Sequence, residues 1–297
     1  MSEPFRSGFV CLVGRPNVGK STLLNRLVGR TIAATAPRPQ TTRNRILGVR
    51  HGAGHQVVFV DTPGIHAATQ PLNRRMVAYA TAALREADLV LVLVEPGRRP
   101  TAEDRLVLEQ VRAAGRPALL VLNKVDAAPE AEVLETLQAY AAMELFAELV
   151  PISALTGRNV ERLLGLVTAR LPEGPPYFEP DQVTDQSEAA VIAELVRQEL
   201  VRRTQQELPY KTAVRVEHME EEPRRLVVHA TIFVERESQK GIVIGKGGRM
   251  LKAIGTAARE QIVRLLGMPV HLELHVRVLE RWSETARHLD ALGYPEE

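Results

Sequence analysis

The residues best placed to do chemistry lie near the start of the chain, in the stretch GRPNVGKST at 14–22. Its pattern is G-x-x-x-x-G-K-S, with an apolar run at 9–13 before it and a helical pattern at 23–28 after it. The backbone amides of such a glycine loop, together with the N-terminus of the next helix, bind phosphate groups. The stretch therefore predicts a phosphate-binding loop between a buried strand and a helix.

Individual roles follow from this pattern. Gly14 and Gly19 allow a backbone geometry that a Cβ would obstruct. Lys20 is expected to reach the β- and γ-phosphates, and Ser21 to offer its hydroxyl to Mg²⁺. The predicted phosphate-binding set is Gly14, Asn17, Val18, Gly19, Lys20, Ser21 and Thr22.

A second motif, D-T-P-G at 61–64, follows the apolar run 56–60. Asp61 is expected to hold Mg²⁺ from the end of a strand, and the Gly64 amide to face the γ-phosphate. The next residue is Ile65, close to where Ras-like enzymes carry a glutamine that orients the attacking water. An apolar side chain cannot orient water, so either another group places it or hydrolysis is slow.

Residues 31–45 show neither a helical nor a strand period and contain two prolines, which predicts a loop. A GTPase keeps in such a loop a threonine that binds Mg²⁺ and senses the γ-phosphate. Thr42 is the favoured residue, and Thr41 is the alternative. The predicted catalytic set is Lys20, Thr42 and Gly64, and the predicted Mg²⁺ ligands are Ser21, Thr42 and Asp61.

Two further motifs indicate which base is bound. N-K-V-D at 123–126 follows the apolar run 118–122, and S-A-L at 153–155 follows the run 149–152. The Asp126 carboxylate can accept from guanine N1–H and N2–H₂, a donor pair that adenine lacks. The Ala154 amide could donate to guanine O6. The predicted guanine-binding residues are Asn123, Lys124, Asp126, Ser153 and Ala154.

Strand patterns alternate with helical patterns at 74–87, 103–114 and 160–171 in this half, which predicts an α/β domain with a doubly wound, mostly parallel sheet. Each motif follows a strand, at the carboxyl edge where such sheets bind ligands. The P-loop GTPase domain is expected to span 1–171. The proline-rich segment that follows predicts a linker at 172–186.

The remaining part, 187–297, is predicted to be an α+β domain. The order is a long helix at 187–207, strands at 212–216 and 226–234 joined by an acidic turn at 220–223, two helices around G-x-x-G at 245–248, a strand at 270–276 and a last helix from about 283. This is the order of a type II KH domain, in which the glycines let a nucleic-acid backbone approach closely. A tight turn between helices is the plainer alternative. Bases outnumber acids around the loop, which favours RNA. The predicted RNA-binding residues are Lys240, Ile244, Gly245, Lys246, Gly247, Gly248, Arg249 and Lys252.

Composition limits the partners and the compartment. The chain has 297 residues and a formal net charge of only +2, so a nucleic-acid surface must come from local clustering. The one cysteine, Cys11, lies in a predicted strand, which fits packing in a reducing cytosol. No signal-peptide pattern is present at the start, and the apolar runs are too short to span a bilayer.

The motifs GRPNVGKS, PQTTR, DTPG, NKVD and SAL, followed by VIGKGG, resemble the Era family of bacterial ribosome-assembly GTPases. The resemblance covers nearly the whole chain. It implies binding of the KH domain to the 3′ end of 16S ribosomal RNA during 30S maturation, slow intrinsic GTP hydrolysis, and a monomer in the cytoplasm. It also implies K⁺ as a second cofactor, since Asn17 stands where related potassium-activated GTPases bind K⁺. Peripheral association with the inner face of the cell membrane is a family property for which the sequence offers no amphipathic basic helix.

Two other functions are compatible with parts of the pattern. GTP could be a structural ligand of an RNA chaperone or scaffold, which the apolar Ile65 favours a little. A tRNA-modification GTPase is a further alternative, but the chain has no C-terminal catalytic cysteine.

Overall fold

The computed structural model describes residues 4–35, 42–97, 99–205 and 207–296. Six strands of the first half form one sheet: β1 (Arg6–Val13), β2 (Ile46–Gly52), β3 (His55–Asp61), β4 (Leu89–Val94), β5 (Ala118–Leu122) and β6 (Glu148–Pro151). Their order is β2-β3-β1-β4-β5-β6, and β2 pairs antiparallel with β3 while the other pairings are parallel. The predicted doubly wound, mostly parallel sheet is confirmed.

Five helices cover the two faces of this sheet: α1 (Lys20–Val28), α2 (Pro71–Glu86), α3 (Ala102–Ala114), α4 (Glu130–Ala141) and α5 (Val160–Thr168). Alternate residues of β1 enter different cores, because successive side chains of a strand point to opposite faces. Leu12 packs with residues of α1 and α5, and Cys11 packs with residues of α2, α3 and α4. The carboxyl ends of the strands are therefore held rigidly where the motifs begin.

Several predicted boundaries in this half need correction. The sequence predicted α2 from residue 74, but it begins at Pro71, because proline suits the first helical position. Helix α4 was missed, although Val133, Leu137 and Tyr140 have helical spacing and pack on the core. Helix α5 ends at Thr168 rather than at the predicted residue 171.

The segment predicted as a linker lies along the edge of the first sheet. The Val49 amide donates to Val183 O at 2.9 Å, and the buried Gln56 side chain accepts from the Tyr177 amide at 2.7 Å. The Thr184 hydroxyl donates to Leu47 O at 2.7 Å. These contacts attach the linker to the GTPase-like half, so it does not act as a free tether.

The second half contains α6 (Glu188–Arg203), β7 (Thr212–Glu222), β8 (Arg225–Val234), α7 (Glu237–Ile244), α8 (Arg249–Leu266), β9 (Val270–Val278) and α9 (Ala286–Ala291). The strands form a sheet of order β7-β8-β9, with β8 parallel to β9. The element order confirms the predicted type II KH fold. Helices α6, α7 and α8 cover one face of this sheet.

Three predictions for this half are wrong in detail. Helix α6 stops at Arg203 instead of 207, since the Thr204 hydroxyl donates to Leu200 O at 2.8 Å and Pro209 follows soon after. The acidic residues 220–222, predicted as a turn, belong to β7 and pair with β8. The last helix begins at Ala286 rather than near 283, after a short 3-10 helix at Trp282–Glu284.

A separate apolar cluster joins the two halves. Leu72 and Met76 of α2 pack with Phe233 and Trp282 of the second half and with the C-terminal segment around Tyr294. Helix α2, which follows Asp61 in the chain, thus lies against the KH domain. In the described part of the chain, no helix is long and apolar enough to cross a bilayer.

Candidate nucleotide and RNA sites

The loop between β1 and α1 is closed in by its neighbours. At Gly14 an added Cβ would lie 2.5 Å from Leu93 O of β4. At Gly19, the residue before α1, where φ is +98°, a Cβ would collide with the Asn123 amide. Glycine is required at both positions for close backbone approach. Val18 is fully buried, and Asn17 and Thr22 are partly exposed on either side of it.

Lys20 is buried inside this loop, with 6% of its surface exposed. Its ammonium donates to Gly14 O and to Arg15 O, each at 3.1 Å. Burial lowers the pKa of Lys20 to about 8. The nearby Asp61 carboxylate opposes this shift, because its negative charge favours the protonated lysine. Phosphate groups that replaced the two carbonyls would stabilise this buried cation more strongly than the carbonyls do.

Three oxygen-bearing side chains meet beside Lys20, as the sequence predicted. The Ser21 hydroxyl donates to Asp61 Oδ2 at 2.6 Å, and Thr42 Oγ1 lies 2.7 Å from Ser21 Oγ and 3.1 Å from Asp61 Oδ2. Burial raises the pKa of Asp61. Thr41, the alternative to Thr42, lies outside the described residues.

This oxygen cluster fits a Mg²⁺ ion. Asp61 Oδ1 is buried and has no hydrogen-bond partner among the described groups. A buried carboxylate oxygen without a partner is costly, and a hard cation that prefers oxygen ligands would satisfy it. Ser21, Thr42 and Asp61 are the residues that would hold the ion.

Gly64 and Ile65 lie on opposite sides of the D-T-P-G turn. A Cβ on Gly64 would lie 2.7 Å from Pro16 N, so this turn packs directly on the phosphate-binding loop. Ile65 is buried among apolar residues of α2, β3 and β4. Its side chain therefore faces the core and cannot contact a water at the site.

Asn123 connects the loops around the expected base site. Its amide donates to Val18 O at 2.7 Å, and its Oδ1 accepts from the Ala154 amide at 2.9 Å. The Ala154 amide is thus already engaged, so its predicted donation to guanine O6 stays a prediction. Lys124 reaches Asn17 O at 2.7 Å and forms an ion pair with Glu95.

The other two predicted guanine-site residues differ in their surroundings. Ser153 is fully buried, and its hydroxyl accepts from the Thr156 amide at 3.0 Å, which shapes the S-A-L turn. Asp126 is exposed at the end of the N-K-V-D turn. An exposed carboxylate at this place is accessible to a base edge.

The G-x-x-G loop joins α7 to α8 through a short 3-10 helix at Lys246–Gly248. All three glycines have left-handed φ, between 61° and 76°. A Cβ on Gly245 would lie 2.7 Å from Met250 Cβ, whereas Gly247 and Gly248 face open space. Lys246 and Arg249 are exposed beside them, Ile244 is half-buried, and Lys240 pairs at 4.0 Å with Glu237.

An open cleft of about 410 Å³ runs from this loop between α8 and β9. It contains the predicted residues Gly248 and Lys252 and is extended by residues absent from the predicted set: Thr256, Arg259 and His271. Lys252, Thr256 and Arg259 are about one turn apart along α8, a spacing that would have indicated their shared face, whereas His271 comes from β9. The cleft combines cationic groups with apolar walls, which suits a nucleic-acid strand.

Sequence reasoning also missed the role of Arg43, which follows Thr42. Its guanidinium is 1% exposed and donates to Thr212 O at 2.7 Å, to Pro209 O at 3.0 Å and to Tyr210 O at 3.2 Å. Its Cζ lies 5.8 Å from the centre of the Trp282 ring. The residue next to a predicted Mg²⁺ ligand is thus buried in the KH domain.

Comparisons with known proteins find matches to both halves of the chain. A family model described as a 50S ribosome-binding GTPase matches residues 9–124, and one described as a KH domain matches residues 207–283. GTPase Era of Geotalea uraniireducens (strain Rf4) is 51% identical over 293 residues, which cover 98% of this chain and 99% of the relative. GTPase Era of Geobacter metallireducens is 52% identical over 294 residues, with 98% and 99% covered.

Two solved structures are similar along their whole length. One is a variant of Aquifex aeolicus Era bound to GDP and aluminium fluoride, with a TM-score of 0.94, 36% identity, and 98% and 100% of the two chains covered. The other is Era in complex with MgGDPNP and nucleotides 1506–1542 of 16S ribosomal RNA, with a TM-score of 0.94, 36% identity, and 98% and 99% covered.

Proposed function

This chain belongs to the Era family of GTPases, and from that premise we propose that it is a GTP-hydrolysing switch that binds the 3′ end of 16S ribosomal RNA during 30S subunit assembly and maturation. The observation that carries the proposal is the continuity between its two sites. Thr42 contacts the Ser21–Asp61 pair, and the adjacent Arg43 is bonded inside the KH domain.

The nucleotide site supplies positioning and charge rather than a covalent group. Lys20 would exchange its two loop carbonyls for phosphate oxygens, and the loop amides would surround the phosphates. Mg²⁺, when bound by Ser21, Thr42 and Asp61, neutralises charge on the phosphates. The Gly64 amide would face the γ-phosphate.

Because Ile65 is buried in the core, no side chain at that position places the attacking water. We therefore propose slow intrinsic turnover with stimulation by K⁺ held at Asn17. Asn17 supports this by its left-handed φ of 69° at the tip of the phosphate-binding loop. Phosphate release measured in K⁺ and in Na⁺ tests it: faster release in K⁺ is expected, and none in either salt would leave GTP as a structural ligand only.

The KH half would bind the RNA as a single strand. Gly247 and Gly248 leave room for the strand, Lys246 and Arg249 would contact its phosphates, and the cleft along α8 would take its bases. The solved relative with nucleotides 1506–1542 supports the choice of RNA. We assign the units as a GTPase domain at 1–171, a linker at 172–186 and a KH domain at 187–297, acting as a monomer in the cytoplasm. No described feature supports peripheral membrane association.

Coupling between the sites would run through Arg43. Arg43 is bonded to the backbone at 209–212 and lies against Trp282, so nucleotide and Mg²⁺ bound at Thr42 would act on this connection through the adjacent residue. Release of Thr42 after hydrolysis would free this connection, as in other switches whose loops order around a γ-phosphate. The α2 contacts of Leu72 and Met76 provide a second path through the apolar cluster.

The experiment is RNA binding by the full chain, loaded with a non-hydrolysable GTP analogue or with GDP, using an oligonucleotide of the 16S 3′ end. We expect affinity to depend on the nucleotide in the natural protein. In Arg43→Ala the two affinities should converge, with nucleotide affinity unchanged within about threefold. Arg45→Ala is the matched control, because Arg45 is exposed and its nearest acid is Glu86 at 4.0 Å.

The outcomes separate three interpretations. Nucleotide-dependent binding that survives Arg43→Ala would show that coupling takes another path. Nucleotide-independent binding in the natural protein would mean two independent modules on one chain. Crosslinking to some other RNA would contradict the proposed target while leaving the chemistry of both sites intact.

A further inference from the structure

The KH sheet has a second face, away from α6, α7 and α8. Along β9 the residues Leu272, Leu274 and Val276 pack on the core, so by strand alternation His271, Glu273 and His275 point to the other side. His229 of β8 and His218 of β7 lie on the same side. Four of the eight histidines in the chain therefore share this face.

Three of these side chains converge on one point. His229 and Glu273 are register partners in the parallel pair, and His229 Nδ1 lies 3.1 Å from Glu273 Oε2. His275 follows Glu273 by two residues on the same face. One ligand atom from each of the three side chains lies within 4.8 Å of the others, the one such group of metal-ligating side chains in the described parts of the chain.

The neighbours hold this group in place. His271 Nε2 lies 3.1 Å from the other carboxylate oxygen of Glu273, and the His218 ring stacks on the His229 ring with 6.2 Å between centres. Partners outside the ligand set that orient a ligating carboxylate are typical of metal sites.

The donor types select the class of ion. Two imidazoles and a carboxylate are the ligands of many zinc sites in which water completes a tetrahedron. Such ligand atoms lie about 3.3 Å apart when each is about 2.0–2.1 Å from the metal. The three side chains are half-buried or exposed and can close that distance by rotating about their χ angles. Mg²⁺ prefers oxygen ligands and is poorly suited to this site.

We propose that His229, Glu273 and His275 bind a divalent transition-metal ion such as Zn²⁺ on the outer face of the KH sheet. The ion would join β8 to β9. It would also bring charge to the sheet beside the RNA cleft, which His271 reaches from the same strand.

The test is titration of Co²⁺ into the full chain, free of any histidine tag and saturated with Mg²⁺ and GDP so that the nucleotide site is filled. We expect one equivalent to bind with the visible absorption of low-coordinate Co²⁺, and Zn²⁺ to displace it. His229→Gln and His275→Gln should each weaken binding by more than about tenfold. His271→Gln should weaken it less, since it removes only the partner of Glu273.

His55→Gln is the matched control, because His55 begins β3 in the other domain and is half-buried. Circular dichroism before each titration confirms that the variants are folded, which is expected at positions with exposed side chains. Equal Co²⁺ binding by the natural protein and the His229→Gln, His275→Gln double variant would overturn the proposal. Absence of a bound equivalent in the natural protein would do the same, and the histidines would then form a solvated ion-pair network.

Discussion

Two glycine-containing loops of this protein are expected to meet phosphate groups, and they are built in opposite ways. In the loop at 14–22 the glycines are enclosed, so that a Cβ at Gly14 or Gly19 would collide with Leu93 or Asn123. In the loop at 245–248, Gly245 packs on Met250, but Gly247 and Gly248 face open space. The cation of the first loop, Lys20, is buried, whereas Lys246 of the second is exposed.

The difference follows from the ligands. A nucleotide is small and can be surrounded, so a buried loop with a desolvated cation gives strong and selective contacts. An RNA strand continues past any one contact, so its loop must stay open and rely on several exposed charges, each with a modest effect. A single substitution in the first loop should therefore nearly abolish nucleotide binding. A single substitution in the second loop should reduce RNA affinity only partly.

The largest effect should come from Lys20→Ala. Removal of a buried cation that contacts phosphate should weaken GDP and GTP binding by at least about 10²-fold. RNA binding without nucleotide should stay unchanged, because the KH cleft is untouched. Fluorescent-nucleotide titration and RNA binding to the full chain measure the two affinities.

Lys246→Ala is the reciprocal control. It should have normal nucleotide affinity and an RNA affinity reduced only severalfold. A loss of RNA affinity in Lys246→Ala as large as the loss of nucleotide affinity in Lys20→Ala would contradict the difference between the two loops.

Asp126→Asn should have the next largest effect. The exposed carboxylate is expected to accept two hydrogen bonds from guanine, and an amide should weaken GTP binding by about 10–10²-fold. Preference should shift toward xanthosine triphosphate, since the amide can donate where xanthine accepts. Competition among GTP, xanthosine triphosphate and ATP measures it, with Asp181→Asn in the linker as control. Unchanged GTP affinity would exclude Asp126 as the base-contacting residue.

The pH dependence of GDP binding should reveal the buried lysine. In the nucleotide-free protein the pKa of Lys20 is about 8, and bound phosphates must raise it because they favour the cation. Above pH 8, GDP binding is then accompanied by uptake of a proton, and GDP affinity should fall by up to about tenfold per pH unit. Below pH 8, GDP affinity should not change through this group. Calorimetry between pH 7 and 9 in buffers of different ionisation enthalpy measures the uptake. In Lys20→Arg, if GDP still binds, the slope should disappear; a slope that persists would have another origin.

The smallest effect should come from Gly247→Ala. Its φ of 61° strains an alanine, at a cost of about 1–2 kcal/mol, but the added methyl meets nothing within 4 Å. RNA affinity should fall by no more than about tenfold. Gly115→Ala is a close match, with φ 64° and open space in the other domain, and should lower the free energy of unfolding similarly without changing RNA affinity. Complete loss of RNA binding in Gly247→Ala would show that the open loop is as constrained as the closed one.

Features that depend on contiguous residues could be predicted from the amino-acid sequence. Each nucleotide motif is a short stretch after a strand, and strand alternation with helices already implied that the carboxyl edge collects them. The contact among Ser21, Thr42 and Asp61 agrees with that prediction. The order of elements around 245–248 was enough for the KH fold. The spacing of the apolar residues in α4 was also sufficient to predict that helix, although the sequence prediction omitted it.

Contacts that depend on how the helices and strands pack could not be predicted in this way. Arg43 stands in a polar run that favours solvent, yet it is buried against Thr212 O, 169 residues away, because the KH domain supplies carbonyls and a tryptophan face. His229 and His275 come together through the register of two parallel strands separated in sequence by two helices. The local sequence pattern determines which secondary structure a segment can form. Long-range packing determines which side chains are buried and which come into contact.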